Sequence, residues 1–299
     1  METLIKVENL SKAFGKTQAL DQVSFEVRKG EIVGFIGPNG AGKSTAIRIL
    51  LGLIKADKGR VEIFGQDVWK EAVDIHRRVA YVPGDVNLWP NLTGGEVIDL
   101  FLSLRGIAVD RKRKEDLIRR FEFDPTKKCR AYSKGNRQKV ALIAAFAAKA
   151  DVYIFDEPTS GLDPLQEQVF QECTKEALEK GASVLLSSHI LSEVEKLCDK
   201  VVIIRQGNIV EAGSLDDLRH LTRVLISLKT VEALPDLDKQ PFVHDFHMKK
   251  GEYIFQLDSD HLNDLLAYLQ PFTVTQFESA PPKLEDLFMR HYESTRGGV

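Results

Sequence analysis

Cysteine is scarce in this chain: three residues in 299, Cys129, Cys173 and Cys198, far apart and without C-x-x-C spacing. An odd, scattered set argues for reduced thiols in a cytosolic protein rather than a disulfide framework. Long apolar runs are missing too. The longest, Val140 to Ala148, falls far short of the ~20 residues a membrane-spanning helix needs, so work at a membrane would require another protein to cross it. The first residues, M-E-T-L-I-K-V-E-N-L, lack a basic segment followed by an apolar core, so no signal peptide is expected. Net charge is small: 41 Lys and Arg against 44 Asp and Glu leave −3, which argues against bulk attraction to nucleic acid. What remains is an ordinary globular composition, 43% apolar and 28% charged, long enough for one large domain plus a small one, or two medium ones.

One stretch organises the rest. Ile32, Val33, Phe35 and Ile36 form an apolar, β-branched run that reads as a buried strand, and Ala46, Ile47, Ile49, Leu50 and Leu51 suit a buried helix. Between them lie Gly37, Pro38, Asn39, Gly40, Ala41, Gly42, Lys43, Ser44 and Thr45, which fit G-x-x-x-x-G-K-[ST] in the strand–loop–helix context a phosphate-binding loop needs. The glycines lack Cβ, so the backbone can curl and aim its N–H groups at one point. The helix start adds free N–H groups and a positive dipole end. Lys43 would reach β- and γ-phosphates, and Ser44 would offer its hydroxyl oxygen to Mg²⁺.

Further along, Leu4–Val7 and Val23–Val27 read as short strands about a turn at Phe14-Gly15-Lys16. Val61–Phe64 reads as a strand led by a turn at Lys58-Gly59, and Val79–Val82 as one stopped by Pro83-Gly84. A mostly helical section runs from about Thr93 to Ala148, with Val97, Ile98, Phe101, Leu102 and Leu104 on one helix and Leu117, Ile118 and Phe121 on another. The basic run Arg111 to Lys114 between acids reads as a solvated helix face. Val152–Phe155 and Val184–Leu186 are buried strands, Pro164 to Lys180 a helix, and Val201–Ile204 with Asn208–Val210 a hairpin. Strands alternating with helices predict an α/β fold with a mainly parallel sheet and ligands at the strands' carboxyl ends. After about Gly213 the pattern changes. Strands at Val224–Leu228, Val243–Met248, Tyr253–Leu257 and Val274–Phe277, with helices at Asp260–Leu269 and Leu284–Tyr292, predict a small α+β domain of ferredoxin-like type.

Asp156 and Glu157 end an apolar strand. In a chain with a phosphate loop, Asp156 suits a carboxylate that helps hold Mg²⁺ through water, and Glu157 one that orients or deprotonates an attacking water. His189, just past another buried strand, is placed for a hydrogen bond to a γ-phosphate. Asp163 before Pro164 is a helix N-cap with proline at the first helical position.

In order, G-P-N-G-A-G-K-S-T, Y-I-F-D-E-P, S-G-L-D and S-S-H resemble the ATP-binding subunit of ABC transporters over about residues 2–215, and the ending P-P-K-L-E-D-L-F at 281–288 resembles subunits of ABC-2-type, drug-export-like systems. The resemblance implies an ABC ATPase core over 1–215, with a helical subdomain at about 86–150, and an accessory α+β domain over 216–299. It implies Mg²⁺-dependent ATP hydrolysis, with ATP held between the phosphate loop of one subunit and the signature of a second, in a unit of two identical copies. It further implies polytopic membrane permease subunits docking on the 84–105 region, no nucleic-acid partner, and a cytoplasmic place on the inner face of the cell membrane. Phe14 matches the adenine-stacking aromatic, Asp163 the loop that speaks across the dimer, and His189 the switch histidine.

Two departures from the family pattern stand out. In place of L-S-G-G-Q the signature reads Tyr132, Ser133, Lys134, Gly135, Asn136. Ser133 and Gly135 keep a hydroxyl and N–H groups for a γ-phosphate, and Lys134 adds a charge that would reinforce phosphate binding or touch the partner. Gly84 stands where the family often has a glutamine near Mg²⁺; Asp85 is the candidate substitute. A soluble ABC ATPase acting on ribosomes or DNA, and a non-hydrolysing regulatory module, are the competing readings.

Overall fold

The computed structural model describes residues 2–106, 110–215, 217 and 223–280. The chain divides into two compact units, Met1–Gly213 and Ser214–Val299.

The first unit opens with β1 (Thr3–Phe14) and β2 (Thr17–Arg28), an antiparallel pair reversed at Gly15-Lys16. Both strands run much longer than their apolar patches at Leu4–Val7 and Val23–Val27. Each has one face on the core, and register shifts along the pair break the alternation that would reveal it. They join β4 (Lys58–Ile63) and β5 (Gln66–Asp67) in the order β2-β1-β4-β5. Lys58 and Gly59, expected to be a turn, belong to β4: Lys58 pairs with Ser11 of β1.

The central sheet contains β3 (Ile32–Ile36), β6 (Val79–Val82), β7 (Val152–Asp156), β8 (Ser183–Ser188), β9 (Lys200–Arg205) and β10 (Asn208–Ser214), in the order β10-β9-β3-β8-β7-β6. From β9 across to β6 the strands are parallel. β3, β7 up to Phe155 and the middle of β8 are apolar on both faces, and all three strands are fully buried, as a parallel sheet covered on each side demands. The register sets Ile36 beside Ser188, Asp156 beside Ser187 and Val82 beside Phe155, so four strand ends meet on one edge.

Helices follow the strands with local stop and start signals. They are α1 (Lys43–Leu50), α2 (Ala72–Arg78), α3 (Gly94–Leu104), α4 (Arg111–Arg120), α5 (Lys134–Ala147), α6 (Pro164–Glu179) and α7 (Leu191–Leu197). Thr93 and Glu96 form a capping box on α3, Asp110 caps α4, Ser133 caps α5, and Asp163 with Pro164 starts α6. The apolar run Val140–Ala148 is buried in and just beyond α5. On α3, Val97, Ile98 and Leu102 are buried as the spacing predicts, but Leu104 is 71% exposed. The basic run on α4 is not wholly a solvated face. Arg113 reaches Glu176 at 3.2 Å, and Lys114 reaches Asp99 at 2.6 Å; with Arg120 on Glu176 at 2.6 Å, they fasten α4 to α6 and α3.

The second unit is an antiparallel sheet of β11 (Val224–Thr230), β12 (Val243–Lys249), β13 (Glu252–Leu257) and β14 (Val274–Ala280), in the order β12-β13-β11-β14. α8 (Leu262–Leu269) links β13 to β14. This is the ferredoxin-like strand order, with the first connecting helix reduced to a 3₁₀ turn at Leu237–Lys239. The helix expected from Asp260 starts instead at Leu262, behind a 3₁₀ turn at Ser259–His261. Ile226, Leu228, Phe255, Leu257 and Leu265 form its core. Leu284–Tyr292 and the segment 281–288 lie outside the described residues. Among those described, no helix is long and apolar enough to cross a membrane.

Candidate nucleotide site

The edge where the parallel strands end carries the chemistry. β3 leads into the loop 37–42 and α1, whose N-cap is Gly42. Gly42 has φ +112°, and a Cβ there would sit 2.6 Å from the Ala19 carbonyl. Only glycine lets the loop close at this point. The loop lines a cavity of about 250 Å³ together with Thr17, Gln18, Ala19 and Glu157. Thr17 to Ala19 were not legible as site residues, because nothing but the fold brings the start of β2 against the loop.

Lys43 is 5% exposed. Its Nζ donates to the carbonyls of Gly37 (2.6 Å) and Pro38 (3.2 Å) and lies 3.8 Å from Glu157 Oε1. Burial lowers its pKa, opposed by the charges of Glu157 and Asp156. An ammonium held over the loop by carbonyl dipoles and one carboxylate is placed to exchange those partners for phosphate oxygens. Ser44, next in α1, is exposed and lines the cavity.

β7 and β8 supply the carboxylates and the histidine. Asp156 is buried, and Ser187 Oγ donates to its Oδ1 at 2.6 Å. Burial pushes the nearby Tyr81 phenol up to about 12, and the Asp156 charge adds to the shift. Glu157 takes φ +50°, which turns its side chain off the strand axis toward the cavity it lines. Its Oε2 lies 3.1 Å from His189 Nδ1. The sheet thus joins Lys43, Glu157 and His189 in one chain of contacts, with Asp156 behind them. Gly84 lies against the same place: a Cβ there would be 3.0 Å from the Asp156 carbonyl and 3.6 Å from Glu157 Cβ. Asp85 is exposed. Among the described residues no cluster of three His, Cys, Asp or Glu side chains could cage a metal. The Ser44 hydroxyl and the Asp156 carboxylate are oxygen donors of the kind Mg²⁺ could take while keeping the rest of its shell for phosphates and water.

Phe14 ends β1 and is 51% exposed. Lys12 Nζ stands 5.5 Å from its ring centre, and Asp57 secures this corner by accepting from Lys12 Nζ and the Ala13 N–H, each at 2.7 Å. One ring face is therefore backed, and the ring projects as a platform.

Ser133, Lys134, Gly135 and Asn136 line none of the cavity. They form a second feature, the start of α5. Ser133 Oγ accepts from the Asn136 N–H at 3.3 Å. Gly135 packs so closely on the Gly161 carbonyl that a Cβ would overlap it, and Lys134 Nζ donates to Ser160 Oγ at 2.6 Å. The Lys134 charge is thus engaged within its own chain. Asp163 caps α6, accepting from the Gln166 N–H at 3.0 Å. The structure brings Ser133–Asn136 and Ser160–Asp163 together and leaves both apart from the phosphate loop's cavity.

Comparison with known proteins agrees with this geometry. The family described as ABC transporter matches residues 20–160. The bacitracin transport ATP-binding protein BcrA of Bacillus licheniformis is 33% identical over 85% of this chain and 82% of its own. The chain belongs to the ABC transporter ATP-binding family. It is an ABC ATPase by fold as well: a solved ATP-binding subunit of an ABC transporter superposes with TM-score 0.68 at 36% identity, covering 73% of this chain and 93% of that one. A dimeric ATP-binding cassette in a post-hydrolysis state, bound to ADP and Pi, superposes with TM-score 0.65 at 26% identity, covering 71% and 99%. The C-terminal domain described for DrrA1-3-like ATP-binding proteins matches this ABC ATPase over residues 213–292.

Proposed function

We propose that this ABC ATPase powers export through separate membrane subunits, working as two identical copies at the inner face of the cell membrane. The observation that carries the reading is the separation of the phosphate loop's cavity from the Ser133–Asn136 helix start, which we read as two half-sites. A second copy turned about a two-fold axis completes both halves at once. The related cassette solved as a dimer supports this arrangement, and the DrrA-like C-terminal match supports export.

In the completed site the loop 37–42 and the α1 N-terminus cradle the β-phosphate, and Lys43 holds the γ-phosphate. Ser44 and Asp156 would hold Mg²⁺, which neutralises developing phosphate charge. Glu157 orients a water for in-line attack on the γ-phosphorus and takes its proton as the bond to ADP breaks. His189, fixed against Glu157, donates to a γ-phosphate oxygen. The partner's helix start supplies the Ser133 hydroxyl and free N–H groups to the same phosphate. Phe14 stacks the adenine. Asp85, exposed beside Gly84, is the candidate for the place of the missing glutamine. Hydrolysis removes the γ-phosphate that joins the copies and lets them part.

The permease docks on an apolar groove of about 370 Å³ between the loop after β6, α3 and α5, lined by Tyr81, Val86, Phe101, Leu104 and Ala141. Leu104 and the neighbouring Trp89 are exposed there, 71% and 48%, as expected of an unfilled interface. Affinity purification of the tagged protein from detergent-solubilised native membranes tests the proposal. A stoichiometric polytopic membrane protein is expected; ribosomal or DNA-associated partners would contradict it.

A further inference from the structure

α7 carries a carboxyl group that the steps above leave unused. Glu193 is 6% exposed and stands in the first turn of α7, four residues past His189. Its Oε2 accepts from Ser188 Oγ at 2.7 Å, and that Oγ accepts from the Ile190 N–H at 3.0 Å. Thr159, 4% exposed, lies in the loop that runs from Glu157 to Asp163, with its hydroxyl near enough to act on this carboxyl. Oε1 itself makes no hydrogen bond of ordinary geometry. Burial pushes the carboxyl's pKa up, and the Ser188 and Thr159 hydroxyls pull it back; Glu167 adds to the first effect and His189 to the second. A buried carboxyl with one oxygen engaged and one waiting needs a partner for the second.

The surroundings say what that partner would do. Three consecutive side chains meet three carboxyl groups: Ser187 holds Asp156, Ser188 holds Glu193, and His189 meets Glu157. Two of those carboxyls belong to the nucleotide site. The third has its free oxygen and, among the groups acting on it, a hydroxyl of the same 157–163 loop, that of Thr159. We propose that Glu193 is a positioning residue that fastens the loop bearing His189 to the loop bearing Glu157 and Asp163, with Ser188 on one oxygen and Thr159 on the other. The proposal rests on the reading of Glu157 and His189 as γ-phosphate groups. Ser188 is the permanent half of the link. The Thr159–Oε1 bond is the half that closes as the loop settles against nucleotide, so it sets the attack geometry more than the affinity.

Steady-state ATP hydrolysis by the full chain tests this. Thr159→Val keeps the side chain's shape and removes only the hydroxyl, while Thr159→Ser keeps the hydroxyl. Thr159→Val and Glu193→Ala should each lower kcat about tenfold or more and leave KM for ATP within about threefold. Thr159→Ser and Glu193→Gln, which preserve the link, should stay within about threefold of wild type. The double variant Thr159→Val with Glu193→Ala should lose no more than Glu193→Ala alone, since both cut one connection. A folded Thr159→Val that hydrolyses at the wild-type rate overturns the proposal, as do losses that multiply in the double variant. Should Glu193→Ala fail to fold, the Thr159 pair decides by itself. Lys43→Ala is measured alongside. Wild-type phosphate release that persists in it would sink the ATPase site reading, whereas Lys43-dependent release with an indifferent Thr159→Val sinks only the positioning role.

Discussion

Lys43 shows how one side chain is prepared for a ligand. Its ammonium is nearly out of solvent, and its present partners are two loop carbonyls and the edge of Glu157. Removing it strips the loop of its one buried cation, so Lys43→Ala should weaken binding of a fluorescent ATP analogue about tenfold or more; unchanged affinity would show that the loop's N–H groups carry binding alone. Glu157→Gln keeps the contact distance to Lys43 and His189 but cannot take a proton. It should bind the analogue normally and lower hydrolysis at least about a hundredfold, and a near-normal rate would remove Glu157 from its proposed role. The cysteines are the opposite case. All three are free and buried, and burial pushes Cys173 up to about 11 and raises Cys129 and Cys198. Iodoacetamide at pH 8 should leave the folded chain unlabelled and modify it only in denaturant; rapid labelling of any one thiol would contradict this placement.

Among the elements, α4 is held by charge as much as by its apolar stripe. Arg113 and Arg120 both converge on Glu176 of α6. Partial burial raises the Glu176 pKa, but the bonds and charges of the two arginines outweigh it and the net shift is downward. A depressed carboxylate adds stability above its unfolded pKa of about 4.3 and loses it as pH falls through the lower folded value. Glu176→Gln should therefore lower Tm by about 1–3 °C at pH 7, given how strongly solvent screens such a pair, and the difference should vanish in acid. An equal difference at both pH values would point to packing instead.

The same contacts explain what the sequence could and could not tell. The strand–loop–helix at Ile32–Leu51 and the ends of β7 and β8 were legible because burial on both faces leaves short apolar runs, Ile32–Ile36, Val152–Phe155 and Val184–Leu186, that lead into the site residues. The basic run on α4 misled, since local sequence cannot reveal that acids on α3 and α6 come to meet it. α2 and α7 escaped detection: each has seven residues, too short for a helical period to repeat convincingly. The proximity of Gly135 to Gly161, and of Thr17–Ala19 to the phosphate loop, arises only from tertiary packing.

At the level of the whole molecule, the proposed function makes the first unit the carrier of half of one nucleotide site and half of another. On that proposal two copies are the smallest unit able to enclose ATP, with the γ-phosphate joining them. Size-exclusion chromatography with light scattering on Glu157→Gln, with and without saturating Mg-ATP, tests this most directly. The account predicts a rise from 33.6 kDa to twice that mass when ATP is added, reversed by Lys43→Ala in the same chain. A chain that binds ATP and stays at 33.6 kDa would contradict the shared site.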